Sequence, residues 1–316
     1  MIGRMQAHVL RPPKREFIPQ RRFLTLRDFF VSEREEQNMK RALGLMLALL
    51  LVGTMAAGCA GGGTEDTDNT LTVAMECSYA PYNWTQPDDA NGAVPIKDSP
   101  DYAYGYDVMM AKYLADKLGM ELEIVKLDWD SLVPAVQSGT VDCVIAGQSI
   151  TEKRLKQVDF TTPYYYASIV GLVKADGAYA DAAGVADLAG ATCTSQQSTV
   201  WYDVCLPQIA EANILPAMES APAMLVALES GRCDLVVTDM PTAMAACVAY
   251  PDMKLLDFTG SDDNFAVSEE EINIGISLQK GNAALLQKLN DALASLTVDD
   301  FTRMMDEAIS VQPLSE

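Results

Sequence analysis

Histidine is all but missing from the chain. The single one, His8, stands near its start, so a Ser-His-Asp triad, a histidine metal site and a histidine general base are excluded from residues 60–316. Positive charge is scarce there too: 10 of the 23 Lys+Arg residues fall in residues 1–59, leaving 13 to face 39 of the 44 Asp+Glu residues. So acidic a body repels phosphate backbones, which argues against nucleic acid as a partner. The seven cysteines form no CxxC pair or other metal-ligand spacing. After residue 55 no apolar run approaches the roughly 20 residues needed to span a bilayer. What the chain does have is length and apolar content, 316 residues of which 49% are hydrophobic, enough for about two domains.

The first 70 residues read as targeting and tether. Met39-Lys40-Arg41 gives a positive start, Ala42 to Met55 an apolar run, and Ala56-Ala57-Gly58-Cys59 a small-residue cleavage site. This resembles a bacterial lipoprotein signal over residues 39–58, with Cys59 as the lipidated first residue of the mature chain. Ala56 stands where leucine is usual, and the apolar run is too short for a plain membrane anchor. Residues 1–38, rich in arginine and without apolar periodicity, are expected to be a non-native extension upstream of the true start at Met39. Residues 59–70 then form the lipidated cysteine and a flexible polar tether, AGGGTEDTDNT.

From Leu71 onward strand and helix patterns alternate. LTVAM, ELEIVKL and DCVIA read as strands; Tyr104 to Gly119 and Asp130 to Gly139 read as helices with glycine stops. LVPAVQSGTVDCVIAG at 132–147 is echoed by MLVALESGRCDLVVTD at 224–239, a helix, a Ser-Gly stop, an aspartate, an apolar strand and a polar turn. The expected fold is α/β and two-lobed, each lobe a mixed, mostly parallel sheet flanked by helices. Lobe 1 would comprise 71–171 plus 272–316 and lobe 2 172–271, joined by two crossings near Ser168–Leu172 and Glu271–Gly275 that suit closure around a ligand. Within lobe 2, Val200 to Ala212 reads as a helix; Asn282 to Ile309 gives two more.

In VDCVIAGQSITEKRLKQVDFTTPYY, starting at Val141, a strand ends at Gly147 and a helix begins at Thr151. Thr151 is placed to cap that helix, while the amides of Gln148, Ser149 and Ile150 have no necessary partner. With Arg154 one turn in, this is a socket for a small anion, most naturally a carboxylate held bidentately. A solvated helix arginine is the alternative.

VAMECSYAPYNW, GYDVMMAKYLADKLG, LDWDSLVPAVQSGTVDCVIAG, SITEKRLKQVDFTTPYY and DLVVTDMP occur in this order. Together they resemble the polar amino-acid-binding solute-binding proteins of ABC transporters, bacterial solute-binding protein family 3. The resemblance implies a receptor, not an enzyme, that needs no cofactor. It would be an extracytoplasmic monomer, lipid-anchored to the outer face of the cell membrane, passing a free L-amino acid, polar or cationic, to an ABC importer permease. It implies that Arg154 holds the ligand carboxylate with Ser149, and that Asp239 takes the ammonium with the Gly147 carbonyl. Tyr79 and Trp129 would sandwich the ligand side chain, and Glu76 would meet its far end. A cap beside Pro241 is the other reading of Asp239, packing that of the two aromatics, and a solvated strand end that of Glu76. Thr194, Ser198 and Thr199 stand in a turn where relatives often carry glycine, and Gln148 where many carry a small or apolar residue.

Two stretches resist the pattern. TQPDDANGAVPIKDSPDYAY at 85–104 is longer than the turn common in relatives, and is expected to be a solvated loop over the cleft mouth; Asp88, Asp89 and Asn91 lack the spacing of a calcium loop. Cys77, Cys143, Cys193, Cys205, Cys233 and Cys247 allow 15 pairings, but Cys143 and Cys233 sit inside apolar strands, so mostly free thiols are expected. Two other functions fit the same scaffold: a dehydratase acting on a cyclic amino-acid precursor, for which Glu76 is the one candidate acid, and a sensor presenting its closed form to a signalling partner.

Overall fold

Gly139 (φ 74) and Gly231 (φ 71) end the two echoed segments alike, in the left-handed conformation that suits glycine. In the computed structural model, which describes residues 69–313, each echo delivers its apolar strand into a separate five-stranded sheet. The readings of residues 1–68, namely the extension, the signal, Cys59 and most of the tether, lie outside the described residues.

The first sheet runs Glu121–Lys126, Thr70–Met75, Cys143–Val144, Ser277–Gln279, Val158–Phe160 in spatial order. The second runs Asn213–Ile214, Thr192–Thr194, Leu235–Asp239, Ile169–Lys174, Met253–Leu256. Each sheet is mixed, with two parallel and two antiparallel pairings. Its central strands are continuously buried: every residue of Leu235–Asp239 is buried, as are Val73 to Met75. The aspartates of the echo do the same work twice. Asp142 accepts from Thr72 N and Oγ1 at 2.8 and 2.6 Å, and Asp234 accepts from Thr192 N at 3.0 Å, each carboxylate bonded into its neighbouring strand.

The Trp129–Ser138 helix ends where the glycine stop predicts. The Tyr106–Leu118 helix starts later than the pattern implies, because Tyr102–Tyr104 pairs as a strand with Asn83–Gln86 and Gly105 makes the turn at φ 128. Val200 to Ala212 is not one α-helix: a π-turn at Trp201–Cys205 passes into a 3-10 turn at Leu206–Gln208, where Pro207 supplies no amide. Nor is the 85–104 stretch a loop over the cleft mouth. It forms a small antiparallel sheet pinned to the outer edge of the first sheet by an Ile96–Ile124 bridge and a Lys97–Glu123 ion pair at 2.7 Å. Ala283–Leu293 and Val298–Val311 form the two late helices. The six cysteines from Cys77 onward are free.

The two passages between the sheets lie side by side. Tyr165–Tyr166 pairs antiparallel with Asn273–Ile274, and the Ala167 amide donates to the Ile272 carbonyl at 3.1 Å. This ladder is narrow, a two-strand connection between two wide sheets.

Gly105 is the backbone position with least tolerance, since a Cβ there would fall on the Tyr82 carbonyl and φ 128 is strained for any side chain. Gly105→Ala is expected to lower stability by about 3 kcal/mol, read as a reduced urea midpoint; a midpoint equal to wild type would contradict it.

Candidate functional site

The carboxyl ends of four strands, two from each sheet, come close enough for their side chains to bond across, as ligand sites in α/β sheets commonly require. Thr70–Met75 delivers Glu76 and Tyr79, and Cys143–Val144 leads to Gly147, Gln148 and Ser149. From the second sheet Thr192–Thr194 leads into the 195–199 turn, and Leu235–Asp239 ends on Asp239.

Contacts cross between these groups. The Tyr79 hydroxyl donates to Asp239 Oδ2, while Asp239 Oδ1 accepts from Thr242 N at 2.9 Å and so caps the Met240–Ala249 helix. Asp239 therefore caps a helix with one oxygen and faces the first sheet with the other. Gln196 Nε2 donates to both oxygens of Glu76 at 3.3 and 3.4 Å, and Gln197 Nε2 donates to Asp130 Oδ2 at 2.7 Å. Arg154 Nη1 donates to the Ser149 carbonyl at 2.9 Å and Nη2 to the Ser198 carbonyl at 3.0 Å.

Arg154 is thus no freely solvated arginine. Its guanidinium lies over the Trp129 ring, 5.2 Å from the centroid, and burial lowers its pKa to about 10 against the opposing pull of Asp203, so it stays charged at neutral pH. Guanidinium has five N–H donors, more than two carbonyls consume. It borders a cavity of about 670 Å³ together with Trp129, Gln148, Ser198 and Thr199, so a carboxylate there would meet unspent donors. Thr151 caps the following turn as expected, its hydroxyl accepting from Arg154 N at 3.3 Å. That helix is only Glu152–Leu155, however, and the Ile150 amide is not free: it donates to the Asn273 carbonyl at 2.8 Å. The anion socket therefore depends on the guanidinium more than on amides.

Three carboxyl groups are buried here. Glu76 is 5% exposed and pushed up to about 7, chiefly by burial; the Gln196 amide opposes this, and Asp128 and Asp130 add to it. Asp107, fully buried at the start of the Tyr106–Leu118 helix, is also raised to about 7 by burial, opposed by hydrogen bonds from Tyr164 and Asn83. Burial raises Asp239 as well, opposed mainly by the Tyr79 hydroxyl. None of the three forms an ion pair with a described residue. Because the folded values of Glu76 and Asp107 lie above their unfolded ones, their cost to stability is absent below about pH 4 and grows as pH rises through about 7.

The two expected aromatics are placed apart: Trp129 lines the cavity under Arg154, while Tyr79 packs against other rings. Tyr79 stacks on Tyr82 at 4.7 Å and meets the edge of Trp201 at 6.2 Å. Gly147 (φ 62) lies under Tyr79 so closely that a Cβ would sit 2.7 Å from Tyr79 Cε1. Gln148 is buried, its side-chain oxygen accepting from Ser277 Oγ at 2.9 Å. Other hydroxyls serve local structure. Thr194 donates to the Pro216 carbonyl at 3.0 Å and Thr199 to the Gln196 carbonyl at 2.7 Å. Ser198 takes φ 58, a glycine-like conformation, and offers its carbonyl to Arg154.

Asp107, Gln196, Tyr82 and Trp201 were not picked out from sequence. The available signal for Asp107 was an acid beside Tyr106 and Val108 at the first turn of an otherwise apolar helix face.

Comparison with known proteins agrees with this geometry. The L-cystine-binding protein TcyJ of Escherichia coli K12 is 28% identical over 268 residues, 84% of this chain and 92% of TcyJ. The ABC transporter arginine-binding protein 1 of the same organism is 31% identical over 195 residues, 62% of this chain and 76% of its own length. An ancestral arginine-binding protein solved with glutamine bound shares 30% identity and superposes with a TM-score of 0.61, covering 76% of this chain and 96% of that one. All three are named as binding proteins, which speaks against the dehydratase alternative. The matched span, residues 71–308, runs through both sheets and every cleft residue named above, and the chain belongs to the bacterial extracellular solute-binding proteins, family 3.

Proposed function

We propose that the cleft captures an L-amino acid with a cationic side chain and that the protein delivers it to an ABC importer permease. The observation that carries this reading is the burial of Glu76 and Asp239, each bonded to a residue of the opposite sheet, with no ion-pair partner among the described residues. Burying carboxylates is costly unless a positive charge compensates them, and a cationic amino acid brings two. Its carboxylate would lie against Arg154, with Ser149 and the Ser198–Thr199 turn alongside. Its ammonium would meet Asp239 and the Gly147 carbonyl. The side chain would pass between Tyr79 and Trp129, with Gln148 beneath and Glu76 at its end. Thr194 would support the turn from behind. Relatives named for arginine binding favour a cationic side chain, while those named for cystine and histidine favour only the broader class of polar amino acids.

In the same reading residues 71–168 plus 272–316 form one lobe and 169–271 the other, the first boundary falling earlier than the expected 171/172 because Ile169–Lys174 pairs wholly within the second sheet, and the Tyr165–Tyr166 and Asn273–Ile274 ladder is the hinge between them. Closure is favoured by the ligand because only the apposed lobes offer both Arg154 and Asp239. The protein works as a monomer held to the outer face of the cell membrane through lipidated Cys59, with residues 1–38 absent from the mature form.

Arg154→Ala is expected to weaken L-arginine and every other amino-acid ligand by about a hundredfold or more in isothermal titration, since it removes the only cation proposed for the carboxylate. Retained affinity for any of them would count against the assignment. For Glu76 the pH dependence has a definite sign. A cationic side chain needs the carboxylate form, so binding expels the proton held at about 7. Affinity for L-arginine should therefore climb between pH 5.5 and 7, by at most about tenfold per unit, and level off above. Asp107 titrates in the same range, so the comparison that isolates Glu76 is Glu76→Gln, which should flatten the profile and move preference from L-arginine toward L-glutamine; an unaltered ranking would contradict its role. Cys59→Ser should release the protein from cell membranes and abolish fatty-acid labelling, and continued labelling would refute the anchor.

A further inference from the structure

Behind Glu76 and Gly147 runs a chain of fully buried polar groups. Cys77 N donates to Asn83 Oδ1 at 2.7 Å, and Asn83 Nδ2 donates to Asp107 Oδ2 at 2.7 Å. The other Asp107 oxygen, Oδ1, accepts from the Tyr164 hydroxyl at 2.7 Å, and that hydroxyl accepts from Gly147 N at 3.1 Å. Asn83, Asp107 and Tyr164 are each 0% exposed. The chain therefore runs unbroken from the residue after Glu76 to the glycine beneath Tyr79.

Both ends need holding. Cys77 takes φ 53, a left-handed conformation unfavourable for a residue with a side chain, and its peptide is gripped on both sides, by Asn83 at the amide and by the Thr85 hydroxyl at the carbonyl (2.7 Å). That conformation sets the direction in which Glu76 leaves its strand. At the other end Gly147 takes φ 62, and its distance from Tyr79 is fixed by contact. Tyr164 holds the Ala146–Gly147 peptide by its N–H, and the Gly147 carbonyl follows in the next peptide, so its direction depends on that anchored plane and on the φ of Gly147. Asp107 is suited to the centre because a carboxylate has two acceptor oxygens and meets two donors, from different elements, one on each. An amide in its place would present a donor to one of those donors.

We propose that Asn83, Asp107 and Tyr164 are positioning residues of the amino-acid site, a buried tie that fixes the Glu76–Cys77 turn and the Gly147 peptide relative to one another. They touch no ligand in this scheme; they act through Glu76 and Gly147. The affinity part of the inference rests on the amino-acid reading of the cleft, whereas the tie itself does not.

The test compares Tyr164→Phe, nearly isosteric, and Asp107→Asn with Thr72→Val, which removes a hydroxyl bonded to Asp142 near the start of the same sheet's first strand. Three quantities are read on the full chain: the Kd for L-arginine by calorimetry, the thermal midpoint, and residue-resolved amide hydrogen exchange without added amino acid. Tyr164→Phe and Asp107→Asn are expected to weaken L-arginine about tenfold or more, and to speed exchange at the Gly147 and Cys77 amides by at least about tenfold relative to Val73. Thr72→Val should leave both within about twofold even where it lowers the midpoint. Affinity that simply follows the midpoint across all three variants, or Gly147 exchange unchanged in Tyr164→Phe, would overturn the tie. A wild-type chain indifferent to L-arginine, L-lysine and L-glutamine would overturn the functional reading instead, and the exchange result would then decide the tie alone.

Discussion

Burying carboxyl groups is the constraint around which the cleft is built. Glu76, Asp107 and Asp239 are each at most 5% exposed, with Gln196 against the first, Tyr164 against the second and Tyr79 against the third. An isolated carboxylate so placed costs several kcal/mol, and the described residues offset this with neutral donors alone: Gln196 for Glu76, Asn83 and Tyr164 for Asp107, Tyr79 and the Thr242 amide for Asp239. Neutral donors satisfy the oxygens without cancelling the charge. That is why burial dominates all three shifts, and why a cation is the group the cleft would gain most from admitting.

The sheets supply the means of placing those groups. In both, an aspartate after the helix stop bonds the incoming strand to its neighbour, far from the carboxyl ends that carry the site. The residue that leaves each strand is then committed by backbone geometry: Glu76 by the left-handed Cys77, Asp239 by its cap on the next helix. Only the connection between the sheets is slight, two short strands at Tyr165–Tyr166 and Asn273–Ile274. Rigid halves with a narrow joint are what a cleft that must open and shut would require.

Much of this was legible from residue order. Strand and helix alternation, the glycine stops at Gly119 and Gly139, and the doubled helix–Gly–Asp–strand unit are local signals, and the structure keeps them. The cap by Thr151 was local too. What could not be read were partners far apart in sequence: that Ile150 would find Asn273, that Ile96 would find Ile124, or that Gln196 would reach Glu76 across 120 positions. The Val200–Ala212 reading failed for a different reason, since its apolar pattern suited a helix but Pro207 has no amide with which to continue one. Asp107 was hidden by its company: inside GYDV it looks like an ordinary first-turn acid, and only tertiary packing makes it a buried one.

The two ends of a bound amino acid would be read by opposite sheets, Arg154 from the first and Asp239 from the second. On that proposal neither sheet alone would hold a zwitterion. The side chain, by contrast, would be read mainly by Glu76 on the first sheet, and Gln196 from the second sheet shares that carboxylate. A neutral amide facing Glu76 is a weaker partner than a cation, so a cationic side chain would displace it readily, whereas a neutral side chain would have to compete with it on equal terms. Selectivity would then arise from the same lobe-to-lobe contact that closure creates, and would be expressed only when the lobes meet.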